Sequence, residues 1–348
     1  MKSLPTGTVS GSAIRQPFRG PFRLRVGSGK SRPMDVKEHD YTSQCLVTHQ
    51  RYDSLHGMSP RVALVTGATQ GLGLALVEGL ARRLEPVDVV YLTGRDPNRI
   101  AAAAAGLADG GAEVRTELLD VSDDAAIQRL AGVLARRHGG VDVVFSNAYR
   151  RVQPSDDFAE VITDYVETNN LGTTRILRAF GPLMRDRGRL IVVASTMGTL
   201  HYLAPVLHGR FDELSSLDDV DFAVGRWRDA VRDGTALPEA WPALINIPSK
   251  IAQVAAIRTL ARERCEHDAD RGIFLAAVCP GMIDTAASRA WYDMTGAQTP
   301  AQAADPLLDL VLGNPDLALY GELVRFGERL PWSPAEAAAA GPRGRTAP

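Results

Sequence analysis

The chain predicts an α/β fold: a single domain built on a doubly wound parallel sheet, with a helical insertion ahead of the helix near residue 250. Three observations carry this. From Arg61 onward, short β-branched runs alternate with helical periods. The first run feeds a glycine-punctuated turn, Thr66-Gly67-Ala68-Thr69-Gln70-Gly71-Leu72-Gly73, and a helical period follows at once. The length of 348 residues at 45% apolar content is enough for one large core.

The elements read in order as follows. Arg61–Thr66 is a strand, and Leu72, Leu76, Leu80 and Leu84 mark the buried stripe of the helix after it. Val87–Thr93 is the second strand. The alanine-rich Arg99–Ala108 is a helix stopped by Gly110-Gly111. Glu113–Leu119 alternates like a strand. Ser122-Asp123-Asp124 caps a helix that runs to His138, ahead of Gly139-Gly140. Val141–Ser146 is a buried strand, Asp157–Asp186 a helical region and Arg189–Ser195 a fifth strand. A spacer over residues 199–240 carries its own stripe of Val220, Val224, Trp227 and Val231. A helix over Pro248–His267, a strand over Ile273–Cys279 and a short seventh strand at Leu317–Tyr320 complete the pattern. Ser333-Pro334-Ala335-Glu336 opens a short capped helix, and residues 333–348 read as a flexible tail beyond a domain spanning 58–332.

Composition narrows the function classes. A net charge of −2 offers no field for nucleic acid and no polybasic membrane patch. No run of 18 apolar residues is present, so no membrane span is expected. Cys45, Cys265 and Cys279 make no even disulfide framework, which points to a reducing, cytoplasmic setting, with Cys279 a packed thiol. The seven histidines show no metal-ligand spacing. Residues 1–57 differ from the rest: the first 34 lack any carboxylate side chain and any apolar period. They read as a disordered extension, or as an overlong start ahead of Met58, with a transit peptide the less favoured reading.

The glycine turn has a mechanical logic. Gly67 ends the strand sharply, Gly71 lets backbone approach a pyrophosphate, and Gly73 allows close helix packing. Strand, turn and helix N-terminus in that order read as a dinucleotide site. After the second strand comes Thr93-Gly94-Arg95-Asp96. Arg95 suits a 2′-phosphate, so NADP is favoured over NAD, while Asp96 is placed to cap the next helix or pair with Arg99.

Together these residues resemble the short-chain dehydrogenase/reductase family, over about Arg61–Trp332, which implies a Rossmann-type sheet. On that resemblance Thr66, Gly67, Gln70, Gly71, Leu72 and Gly73 form the cofactor turn, and Asp120-Val121 contact adenine. Ser146-Asn147-Ala148-Tyr149 is similar to the family's Asn-Asn-Ala-Gly, with Ser146 for the first Asn and Tyr149 for the Gly; Asn147 and Ala148 match. Asn169-Asn170-Leu171-Gly172 implies Asn169 as the catalytic asparagine, and Ser195-Thr196-Met197-Gly198 implies Ser195 as the catalytic serine. Pro280-Gly281-Met282-Ile283-Asp284-Thr285 implies Pro280, Gly281 and Thr285 around the nicotinamide carboxamide. The long spacer, Gly321-Glu322-Leu323-Val324 and Trp332 are similar to the monomeric carbonyl reductase group. That implies a monomer with a partly lidded pocket, acting on a small to medium carbonyl or alcohol substrate with NADP(H).

One departure bears on the chemistry. The family's proton-transferring tyrosine sits four residues before its lysine; counting back from Lys250 gives Asn246. The i, i+4 spacing puts both on one helical face. A carboxamide donates a hydrogen bond but has no proton to transfer. Three readings stay open. In the first, a reductase, Lys250 and Asn169 hold the cofactor ribose and a water, Ser195 polarises the substrate carbonyl, and the proton comes from water on that Lys250–Asn169 relay, from Tyr202, His201 or His208. In the second, the protein binds NADP for a non-redox step. In the third, it is a binding or regulatory protein without catalysis.

Overall fold

The computed structural model describes residues 59–107, 110–286 and 288–339. The expectations for residues 1–57 and for the tail beyond 339 lie outside the described residues.

Eight strands form one sheet in the order β3-β2-β1-β4-β5-β6-β7-β8. They are β1 Val62–Val65, β2 Val89–Gly94, β3 Glu113–Leu118, β4 Val141–Ser146, β5 Met184–Val193, β6 Phe274–Val278, β7 Leu323–Arg325 and β8 Glu328–Leu330. Every pair is parallel except β7 with β8. The main helices are α1 Gly71–Arg83, α2 Pro97–Ala105, α3 Asp124–His138, α4 Phe158–Val166, α5 Gly172–Phe180, α6 Leu217–Arg232, α7 Asn246–Arg271 and α8 Pro300–Leu312.

The central strands are apolar on both faces because helices cover both. Val62 and Leu64 point into one core with α3 to α7, while Ala63 and Val65 point into the other with α1, α2 and α8. The chain order reverses between β1 and β4, which opens the crevice where such sheets take ligands, at the carboxyl ends of the strands.

The inserted segment folds as expected around α6. Val220, Val224 and Trp227 are buried, with Val231 half-buried at the edge of the stripe. Ser216 and Asp219 make a reciprocal capping box at its start. Across the interface, Thr174 donates to Asp221 at 2.7 Å.

Several boundaries differ from the sequence reading. The regular ladder of β5 starts at Arg189, but its strand reaches back to Met184 through a register shift, with Arg187 at φ 61°. The region expected as helix to Asp186 therefore ends at Phe180, with a 3-10 turn over Gly181–Leu183. The segment Leu317–Tyr320 is a 3-10 turn over Leu317–Leu319 rather than a strand, because Asp316 accepts the Ala318 N–H at 3.0 Å. The seventh strand lies at Leu323–Arg325, set against β6 by Gly321. A Cβ on Gly321 would stand 2.7 Å from that of Ala261. Helix α8 was not legible as such, although Thr299-Pro300-Ala301-Gln302 carries its capping box and N-terminal proline. The short helix expected to open at Ser333 forms over Pro334–Ala339, with Ser333 Oγ accepting Glu336 N at 3.2 Å, so residues 333–339 are not a loose tail. Its Glu336 pairs with Arg258 at 2.9 Å and with Arg329 at 2.5 Å. Among the described residues, no helix is long and apolar enough to cross a membrane.

Candidate active site

The candidate residues gather at the carboxyl edge of the sheet. Thr66 joins the two halves of the crevice. Its Oγ1 donates to Phe145 O at 3.3 Å and accepts the N–H groups of Asn147 (2.9 Å) and Ala148 (3.0 Å). Asn147 returns its Nδ2 to Thr66 O at 2.9 Å and Gly67 O at 3.2 Å. The glycines are explained by contact as well as by torsion. Gly67 sits at φ 64°, and a Cβ there would lie 2.6 Å from Ala148 Cα. A Cβ on Gly73 would meet Asn147 Nδ2 and Gly67 O, each at 2.5 Å, so the third glycine makes room for the Asn147 amide.

These features fit a dinucleotide phosphate. Helix α1 has no side-chain cap, so its first N–H groups face the crevice without a side-chain acceptor. Gln70 instead accepts a hydrogen bond from the Arg99 guanidinium. The space over Gly71 is bordered by Thr285 Cγ2 and Arg151 Nη2, which a Cβ at that position would meet at 3.7 and 3.9 Å. Arg95 is exposed at the end of β2. Asp96 caps α2, its Oδ1 accepting Asn98 N at 2.9 Å and Arg99 N at 3.2 Å. Asp120 accepts both Ser122 N (2.9 Å) and Ser122 Oγ (2.7 Å) in a local turn, with Val121 buried against Gly172. Gly281 at φ 83° follows Pro280, where a Cβ would meet Gln298 Nε2 at 2.6 Å.

Helix α7 presents Asn246, Lys250 and Gln253 at i, i+4 and i+7, one face of the helix. Lys250 is buried. Its Nζ donates to Val193 O at 3.0 Å and Gln253 Oε1 at 2.8 Å, and stands 4.8 Å from the centre of the Tyr149 ring. Burial lowers its pKa to about 8, against a weaker opposing pull from Cys279. Ser195 is half-buried just past β5, on a 3-10 turn packed against α7 at Gly198. Its Oγ accepts Met197 N at 3.3 Å, which leaves its own proton to donate.

Between Lys250 and Asn169 stands a residue the sequence did not single out. Gln253 bridges them, accepting from Lys250 and donating to Asn169 O at 2.8 Å. That carbonyl is open to it because residues Glu167–Leu171 form a π turn. The Asn169 side chain clamps the next loop, accepting Arg150 N at 2.7 Å and donating to Arg150 O at 3.0 Å. Asn170 ties the same turn to α7 through Ser249 O (2.9 Å) and Ser249 Oγ (3.0 Å).

The clamped loop carries Tyr149. Its hydroxyl donates to Asn246 Oδ1 at 2.7 Å and lies 2.9 Å from the hydroxyl of Tyr165, which also donates to Asn246 Oδ1 at 3.1 Å. The two rings pack edge to face with centres 5.9 Å apart. Burial raises the Tyr165 pKa to about 12 and holds Tyr149 well above the ordinary phenol range. The alternative donors do not join this cluster. Tyr202 is exposed on a surface turn, and His208 Nε2 is bonded to Leu203 O at 2.9 Å.

A doubly wound sheet with a glycine turn at its switch point, a serine beyond the fifth strand and a buried lysine on the adjoining helix defines a dinucleotide-dependent oxidoreductase scaffold. The chain belongs to the short-chain dehydrogenase family. The family model for short chain dehydrogenase matches residues 61–206. The chain is 33% identical over 276 residues to carbonyl reductase (NADPH) 3 of Mus musculus, covering 76% of this chain and 96% of that protein. Its fold is similar to menthone neomenthol reductase from Mentha piperita, with a TM-score of 0.63 at 22% identity, covering 78% of this chain and 100% of that one. It is also similar to an NADPH-bound carbonyl reductase from chicken fatty liver, with a TM-score of 0.57 at 21% identity, covering 79% and 100%.

Proposed function

We infer that this protein is an NADP(H)-dependent oxidoreductase that interconverts a small to medium carbonyl compound and its alcohol, with a proton donor that is not the tyrosine usual for the family. The observation that carries this is the convergence of Ser195, Lys250 and the glycine turn on one crevice, in a chain whose relative at 33% identity is a carbonyl reductase (NADPH). The α1 N-terminus, Gly67, Gly71 and Arg95 would hold the phosphates. Pro280, Gly281 and Thr285 would border the nicotinamide. Bound there, the reduced nicotinamide supplies a hydride.

The chain's own groups do the rest. Ser195 offers its hydroxyl proton to the substrate oxygen and holds the carbonyl in place. Lys250 supplies positive charge inside a dry pocket, where it acts strongly on developing negative charge. Helix α6 packs on α4 and α7 beside the site, which supports a monomer; a cytoplasmic setting rests on the uneven cysteine count alone. The test is NADPH consumption across a broad panel of ketones and aldehydes, beside a melting curve with and without NADPH. A chain that gains no melting temperature from NADPH and reduces nothing on the panel overturns the reading.

A further inference from the structure

Two residues that depart from the family pattern meet in space. Position 246 has lost a phenol, and position 149 has gained one. They are 97 residues apart in sequence, yet the Tyr149 hydroxyl stands 2.7 Å from the Asn246 side chain. The geometry points to Tyr149 as the catalytic proton donor of this enzyme, its phenol delivered to the active-site helix from the loop after β4 instead of from the helix itself. This rests on the reductase reading above.

Four observations support it. The loop is held: Asn169 clamps both backbone polar groups of Arg150, and Thr66 takes the N–H groups of Asn147 and Ala148, so the tyrosine between them has fixed backbone on either side. The hydroxyl is supported: Tyr165 and Asn246 both lie within hydrogen-bond distance, and each has a donor to turn toward a phenolate oxygen. A cation faces the ring: Lys250 Nζ is 4.8 Å from its centre, which stabilises negative charge as it develops. Burial separates the two residues: Tyr165 is fully buried, whereas Tyr149 is half-buried, like Ser195 and Asn246. The charged and titratable groups around Tyr149 are Tyr165, Lys250, Arg151 and Tyr292.

The step balances as follows. A hydride, delivered by the reduced dinucleotide as it is oxidised, adds to the carbonyl carbon, and the π pair of the C=O bond moves to oxygen. The O–H bond of Tyr149 breaks, its pair staying on the phenolate and its proton passing to the substrate oxygen to complete the alcohol. The phenolate then takes a proton back from solvent, while the Lys250 ammonium keeps its charge over the ring face.

The experiment compares Tyr149→Phe, Tyr149→Gly and the exchange Tyr149→Gly/Asn246→Tyr with wild type. It reads NADPH reduction of a carbonyl substrate and, separately, NADPH affinity by quenching of the cofactor's fluorescence. Tyr149→Phe is expected to lower kcat by roughly 10²- to 10⁴-fold, the usual worth of general acid catalysis, with NADPH affinity within a factor of about two. Tyr149→Gly is expected to lose activity, and adding Asn246→Tyr to restore it at least about tenfold, because the space between the two positions then holds one phenol again. A wild type that reduces carbonyls while Tyr149→Phe does so equally well overturns this proposal and leaves the proposed function standing. An exchange that restores nothing overturns it as well. So does a tenfold tightening of NADPH binding in Tyr149→Gly, since the ring would then be occupying the dinucleotide's place. A wild type inactive on the whole panel overturns both.

Discussion

Replacing Lys250 with methionine should change how stability depends on pH, and the size of the change can be worked from its surroundings. The ammonium is buried at 8% exposure, between Val193 O, Gln253 and the face of Tyr149. Burial moves its pKa from 10.5 in the unfolded chain to about 8 in the fold. A lowered pKa on a base means the native state binds fewer protons than the unfolded state between those two values. Stability therefore rises with pH across that window. Below about pH 8 both states are charged and the native state carries the whole penalty, about 2.5 pKa steps at about 1.4 kcal/mol each, or about 3.5 kcal/mol. By about pH 10.5 all but about 0.5 kcal/mol of it is gone. In urea unfolding of the cofactor-free protein, wild type should therefore gain about 3 kcal/mol relative to Lys250→Met as pH rises from about 7 to 10.5. A gap between the two that stays constant to within about 0.5 kcal/mol would refute the placement of a charged lysine in a dry site.

Gly73→Ala should displace the Asn147 amide and forfeit its two bonds to Thr66 O and Gly67 O, at about 1 kcal/mol each, with weaker NADPH binding; urea midpoints and fluorescence titration read both. Arg95→Ala should weaken NADPH by about 2 kcal/mol, roughly thirtyfold, and leave NADH almost unchanged; equal weakening of the two would refute its role at a 2′-phosphate. Asn169→Ala should free both backbone groups of Arg150 and unfix the Tyr149 loop. It should cost about 1–3 kcal/mol of stability and lower kcat more than it raises KM, measured by chemical unfolding and steady-state kinetics.

What the sequence determined alone is whatever depends on local chemistry. Period-two and period-3.6 patterns define the strands and helices from Arg61 to α7, and a glycine turn between strand and helix declares its purpose by spacing. Gly67 and Gly73 were legible because a missing Cβ is itself the signal. The C-terminal part was harder to read: Asp316 and Gly321 shift the seventh strand, and α8 is opened by a Thr299–Gln302 capping box that the sequence reading did not use. The half of the site proposed to bind phosphate lies within a few residues of the turn, so it was readable. The half proposed to transfer a proton is assembled from β4, β5, the π turn and α7, which no local window contains. Gln253 bridges Lys250 and Asn169 through a carbonyl of the π turn, a matter of backbone winding with no residue pattern of its own. Asn246 read by itself is a lost tyrosine, and Tyr149 read by itself is a lost glycine. Only the tertiary structure sets one hydroxyl 2.7 Å from the other's side chain, because only packing brings the end of β4 against the first turn of α7.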